Sequence, residues 1–172
     1  MKIINKLQTV LHKQEKDFIT SLYYELLNRK PDTIGYKNHF YNLSSGVSKI
    51  SVISSFLLSK EAQFLYQQHS HLTLQIKGLT IGSTLQKIFA MGDKLFILSI
   101  YQEFLNRNPD VNTLKKHLYA FKKGKSRLHF LKEIFWSDEC QTFLEQNLTS
   151  DLIINRIKQL LDNKKNIKTD LN

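Results

Sequence analysis

FITSLYYELLNRKPDTIG, residues 18–35, and FILSIYQEFLNRNPDVNT, residues 96–113, are two versions of one sequence set 78 residues apart. In the first, Phe18, Leu22 and Leu26, with Ile19, Tyr23 and Leu27 beside them, recur at three- and four-residue spacing, which makes one broad apolar face of a helix. Lys30-Pro31-Asp32 ends that helix, because a proline disfavours helical geometry in the residue before it. Asp32 then caps the next helix by accepting backbone N–H groups. Arg107-Asn108-Pro109-Asp110 repeats the device.

Extended without a gap, residues 18–63 align on 96–141 with eighteen of forty-six positions identical, too many for chance. The second helix of each copy precedes a glycine, Gly46 or Gly124, suited to the left-handed residue that ends a helix. A third helix follows in each, carrying Ile50, Ile53, Phe56 and Leu57 or Leu128, Leu131, Ile134 and Phe135. Ser59 and Ser137 read as caps of a fourth, with Glu61 and Glu139 placed for the helix dipole. The expected fold is all-α, two tandem repeats of a roughly four-helix unit with an extra N-terminal and C-terminal helix. Unit one with its N-terminal helix takes 1–77, and a connecting segment 78–92 has Gly78 and Gly82 flanking a break before a helix near Thr84 to Ala90. Unit two with its C-terminal helix takes 93–163, and 164–172 is a polar tail.

A chain of 172 residues buries an adequate core without disulfides or metals, so size calls for no cofactor. One cysteine, Cys140, excludes an internal disulfide and fits a reducing, cytoplasmic setting. Met1 to Gln14 mixes Lys2, Lys6 and Lys13 among its apolar residues and has no unbroken signal-peptide core. No run approaches the ~20 apolar residues of a transmembrane helix, which leaves peripheral membrane contact. A net charge of +10 favours anionic partners: nucleic acid, acidic lipid or acidic polysaccharide.

The run from Leu22 to Gly35, with Gly46 and the later Ser59-Lys60-Glu61-Ala62, resembles the bacterial domain-of-unknown-function family 4214. That family's run is a tyrosine-containing helix, a Leu-x-Arg-x-Pro-Asp turn, a glycine, a tryptophan-bearing helix, a glycine and a closing Ser-x-Glu-Phe. Here His39 and His117 stand where the tryptophan falls, and Thr113 replaces the glycine that Gly35 keeps. Such domains accompany glycosyltransferases or calcium-binding repeats, and are similar to the linker domain of phycobilisomes. The resemblance implies a helical companion or assembly module and no chemistry.

Candidate sites divide by whether structural duty accounts for them. Arg29, Pro31 and Asp32, with Arg107, Pro109 and Asp110, read as structural turns, the arginines pairing with Glu25 and Glu103 one helical turn earlier or sharing a salt bridge with Asp32 and Asp110. His69-Ser70-His71 lacks companions for a metal site, and His39 and His117 read as core-edge rings. Cys140 aligns with Ala62 and reads as a buried, inert thiol. No catalytic constellation stands out, and an enzyme would rest on fold analogy alone.

Residues 111–132 hold seven basic residues and no acidic one, against Lys37 and Lys49 in the equivalent 33–54. Lys115, Lys116, Lys122 and Lys123 surround Tyr119 on the side of a helix opposite Leu114, Leu118 and Phe121, with Lys125 and Arg127 just beyond. This basic face with a central aromatic marks an anionic partner. The expected function is a non-enzymatic interaction module in bacterial cell-surface glycan assembly, docking on a glycosyltransferase, another protein or an anionic glycan. The alternative is nucleic-acid binding, with Tyr119 or Tyr41 as a stacking surface. An uncharacterised enzyme is the third reading.

Overall fold

A computed structural model describes residues 1–68 and 79–145, and the regular structure among them is entirely helical. The order is α1 (Ile3–Leu11), α2 (Glu15–Leu27), α3 (Thr33–Ser44), α4 (Lys49–Leu57), α5 (Lys60–Gln67), α6 (Ile81–Phe89), α7 (Asp93–Leu105), α8 (Val111–Lys122) and α9 (Arg127–Phe135), with 138–145 helical after it. His69-Ser70-His71, Gly78, the expected C-terminal helix and the polar tail lie outside the described residues.

Local chemistry sets the boundaries. Asp32 Oδ1 accepts from Gly35 N at 2.8 Å and Asp110 Oδ1 from Thr113 N at 2.9 Å, so the two Pro-Asp turns cap α3 and α8 alike. Ser48 and Ser126 cap α4 and α9 in the same way, and Ser59 caps α5. Gly46 and Gly124 adopt φ of 89° and 94°. The stops of α2 and α7 come earlier than the prolines: Asn28 (φ 55°) and Asn106 (φ 58°) are left-handed, a conformation asparagine tolerates better than other residues with a Cβ.

The helix expected near Thr84 to Ala90 is α6, which begins at Ile81 and has Ile81, Leu85 and Ile88 buried. The described residues before α6, 79 and 80, are not helical, and Gly82 itself already is. It lies in the first turn of α6, where an added Cβ would stand 2.5 Å from the Leu26 carbonyl oxygen, so its bareness is what lets α6 approach the end of α2. Helix α6 also begins 78 residues after α1 and ends 78 residues after it, making it the counterpart of that helix.

These two helices are exchanged between the halves. Ile3 N, opening α1, donates to Glu103 Oε2 in α7 at 2.7 Å, and Ile81 N, opening α6, donates to Glu25 Oε2 in α2 at 3.1 Å. Lys2 Nζ donates to Asn106 Oδ1, and its counterpart Thr80 donates to Asn28 Oδ1 at 2.5 Å. Gln8 donates to Phe143 O at 2.5 Å and its counterpart Gln86 to Gln68 O at 2.8 Å, where only the donors correspond. Contacts that run both ways between equivalent positions have the form of an isologous interface within one chain. A single apolar core follows, continuous from Ile3, Leu7 and Phe18 to Phe96, Phe104 and Phe130. Trp136 adds a tether without counterpart, donating to Ser54 Oγ at 2.9 Å.

Replacing Gly82 by alanine should destabilise the protein by about 1–3 kcal/mol, the usual cost of forcing extra volume into a packed contact. Urea unfolding reads this directly, and an unchanged midpoint would show that α6 and α2 are not held at this separation.

Candidate anion-binding face

Helix α8 begins at the Asp110 cap and ends before Gly124, and it is amphipathic in an unusual proportion. None of its residues is fully buried. Leu114, Leu118 and Phe121 pack half-buried on the core, together with the His117 ring, which lies edge-on to Phe130 at 4.8 Å. On the other side Lys115, Lys116, Lys122 and Lys123 are exposed, and none forms an ion pair with a described residue. Tyr119 stands among them 63% exposed, with Lys123 Nζ 5.5 Å from its ring centre.

Two of the seven expected binding residues have other duties. Lys125 Nζ pairs with Glu133 on α9. Arg127 donates to the Phe89 carbonyl at 2.5 Å and to Asp93 at 2.7 Å, and lies 4.9 Å over the Phe96 ring. Its counterpart Lys49 does the same work in the first half, donating to the Leu11 carbonyl at 3.0 Å and lying 5.2 Å over Phe18. Both cations therefore close the C-terminal end of a first helix, and Arg127 is no part of the surplus. Lys115 has Lys37 as its counterpart, so the charge particular to α8 and its C-cap, without an ion-pair partner among the described residues, is Lys116, Lys122 and Lys123, opposite Asn38, Ser44 and Ser45 of α3 and its C-cap.

The Arg-Pro-Asp turns are structural; of the expected pairings Arg29–Asp32 is present, and the main partners are glutamates other than Glu25 and Glu103. Arg29 grips Glu61 with two nitrogens, at 2.5 and 2.9 Å, and reaches Asp32 at 3.2 Å; Arg107 grips Glu139 at 2.6 and 2.7 Å. The left-handed asparagine before each arginine turns it off the helix, so it does not sit one turn above Glu25 or Glu103. Those glutamates start α6 and α1 instead. The guanidiniums also lie over the Tyr23 and Tyr101 rings, at 4.7 and 5.3 Å. Hydrogen bonds from Arg107 hold the Glu139 carboxyl below the usual range, and those from Thr113 do the same for Asp110.

The histidines are core-edge rings, both with pKa lowered chiefly by burial. Their difference explains the glycine that the second copy has lost. The Tyr23 hydroxyl lies where a Cβ on residue 35 would stand, so Gly35 leaves room for the hydroxyl in that position. In the second half the Tyr101 hydroxyl bonds His117 Nε2 at 3.0 Å, and Thr113 occupies the vacated place and bonds Asp110. Cys140 is fully buried and its thiol is pushed up to about 12, chiefly by desolvation, which makes it unreactive. Among the described residues no group of three His, Cys, Asp or Glu stands close enough to hold a metal, and no helix is long and apolar enough to cross a membrane.

Comparison with known proteins assigns the first half. A family model described as "Domain of unknown function (DUF4214)" matches residues 5–66. Those residues are a DUF4214 domain. No curated protein and no solved structure matches the chain. The DUF4214 match takes in the Arg29 turn, His39 and Glu61, whereas α8 and its lysines lie beyond it. Sequence reading missed the exchanged helices and the partners of Glu25, Glu103, Lys49 and Arg127. One signal was available for the first: Ile3, Leu7 and Gln8 recur as Ile81, Leu85 and Gln86 at the same 78-residue offset.

Two outcomes follow for stability. Arg127→Ala should cost about 1–2 kcal/mol through its lost hydrogen bonds, whereas Lys116→Ala should leave thermal melting nearly unchanged. Equal effects would mean that the two cations have been sorted wrongly. For pH, the lowered carboxyls of Glu139 and Asp110 supply stability that is complete above their ordinary values of 4.5 and 3.8 and is lost as pH falls through the depressed ones. A Glu139→Gln, Asp110→Asn double variant should therefore be weaker than wild type at neutral pH, and the difference should shrink during acid titration followed by circular dichroism.

Proposed function

We propose that this protein is a non-enzymatic helical interaction module that docks an anionic partner through α8, in the assembly of cell-surface glycan on the cytoplasmic side of a bacterial membrane. One observation carries the reading. Four exposed lysines without an acidic partner among the described residues surround an exposed tyrosine, on a helix that contributes no fully buried residue. The equivalent helix α3 folds with one of those four lysines, so the other three are not needed for folding. A cluster of like charge opposes its own close approach, and a polyanion that screens it gains counterion release on binding. The association with glycan and glycosyltransferase assembly rests on resemblance to the DUF4214 family, and the partner is a protein of that assembly or the glycan itself.

The test separates this face from net charge. One variant reverses Lys115, Lys116, Lys122 and Lys123 to glutamate. A charge-matched control reverses the exposed Lys16, Lys30, Lys60 and Lys94. Both should melt close to wild type. On an immobilised acidic polysaccharide the α8 variant should elute at much lower salt than the control. Co-elution of the two would remove the α8 face from the reading and leave only bulk charge.

A further inference from the structure

The reading of α8 as a docking face leaves its ligand open, and the placement of the side chains narrows it. Lys115 and Lys122 are seven residues apart and fall on one row of the helix, and Lys116 and Lys123 form a second row about 100° around it. Seven residues advance a helix by about 10 Å, so the four ammonium groups mark the corners of a lane running along the axis. Tyr119 lies between the rows and midway along them. The lane sits on an exposed helix face, which suits a chain laid along it rather than a small molecule that needs enclosure.

The chemistry of the lane separates the polyanions. All four cations are lysines, which act as point charges; the guanidinium fork that favours phosphate is absent, because Arg127 is held by Phe89 and Asp93. A nucleobase would stack on the face of Tyr119. The Lys123 ammonium lies 5.5 Å over one face of that ring and competes with a base there, whereas the edge and the phenolic hydroxyl have no such competitor among the described residues. Ammonium groups at intervals, with a hydroxyl between them, match carboxylates at intervals along a hydroxyl-rich chain. An anionic bilayer would also meet the lysines, but α8 turns its apolar side to the core and has little to insert. We propose that α8 binds a linear carboxylated polysaccharide laid along the helix axis, its carboxylates paired with the two lysine rows and a sugar hydroxyl bonded to Tyr119.

Titration calorimetry of the full chain tests this with polygalacturonate as the probe. Neutral dextran, a single-stranded oligothymidylate and vesicles containing an anionic phospholipid serve as comparators, each at two salt concentrations. Two variants accompany wild type: Lys116→Asn with Lys122→Ser and Lys123→Ser, which installs the residues α3 already carries at those places, and Tyr119→Phe. Polygalacturonate should bind at least tenfold more tightly than the oligothymidylate or the vesicles, and dextran should not bind. The triple variant should lose most of the affinity and about two units of the salt slope, since each lost contact releases fewer counterions. Tyr119→Phe should weaken binding several-fold with the slope unchanged. Equal or tighter binding of the oligothymidylate or vesicles would overturn the ligand while leaving the face intact. A triple variant that binds polygalacturonate like wild type would overturn the face, and absence of binding to every polyanion would overturn both.

Discussion

Two glutamates hold the architecture together, because each starts a helix that belongs to the other half of the chain. An N-terminal helix end presents backbone N–H groups with no intrahelical acceptor, and a carboxylate aimed at them supplies both an acceptor and a favourable charge. Glu103 does this for α1, whose own N-cap residue, Lys2, makes no side-chain cap, and Glu25 does it for α6. With the first helices placed in this way, their apolar sides fill the space between α2 and α7. Neither half is then a complete packing unit, and the continuous core is the consequence.

The exchange also decides which surfaces are free. With α1 packed against α2 and α7, and α6 against α2, α5 and α7, the helices α3 and α8 lie outside and place no residue fully within the core. An outer helix of that kind is constrained only by its cap, its terminal glycine and a half-buried stripe. Its outward positions are free to change. In α3 they carry Ile34 and Tyr41, 73% and 72% exposed, and in α8 they carry the lysines around Tyr119.

The two halves serve as controls for one another. Where Lys49 and Arg127 make the same pair of contacts, or Arg29 and Arg107 grip equivalent glutamates, the shared function is structural. Where Asn38, Ser44 and Ser45 become Lys116, Lys122 and Lys123 on an otherwise equivalent helix, packing gives no reason for the change. The Gly35 and Thr113 difference shows the other kind of divergence, in which a shifted tyrosine hydroxyl compensates for a side chain added beside it.

Sequence alone determined the helical class, the caps at Asp32, Asp110, Ser59 and Ser137, the glycine ends at Gly46 and Gly124, and the basic side of α8. All of these depend on interactions within a few residues or on one face of one helix, and such interactions leave a periodic or positional trace in the chain. The family of residues 5–66 was legible in the same local turn and helix pattern. Tertiary structure alone decided that Arg29 and Arg107 reach Glu61 and Glu139, thirty-two residues away, in place of the glutamates one turn back. It also decided that Arg127 and Lys125 are committed to partners, and that α6 is a core helix. Long side chains of one charge sign look alike in a sequence, and which carboxylate or carbonyl each meets depends on how separate helices come together in space.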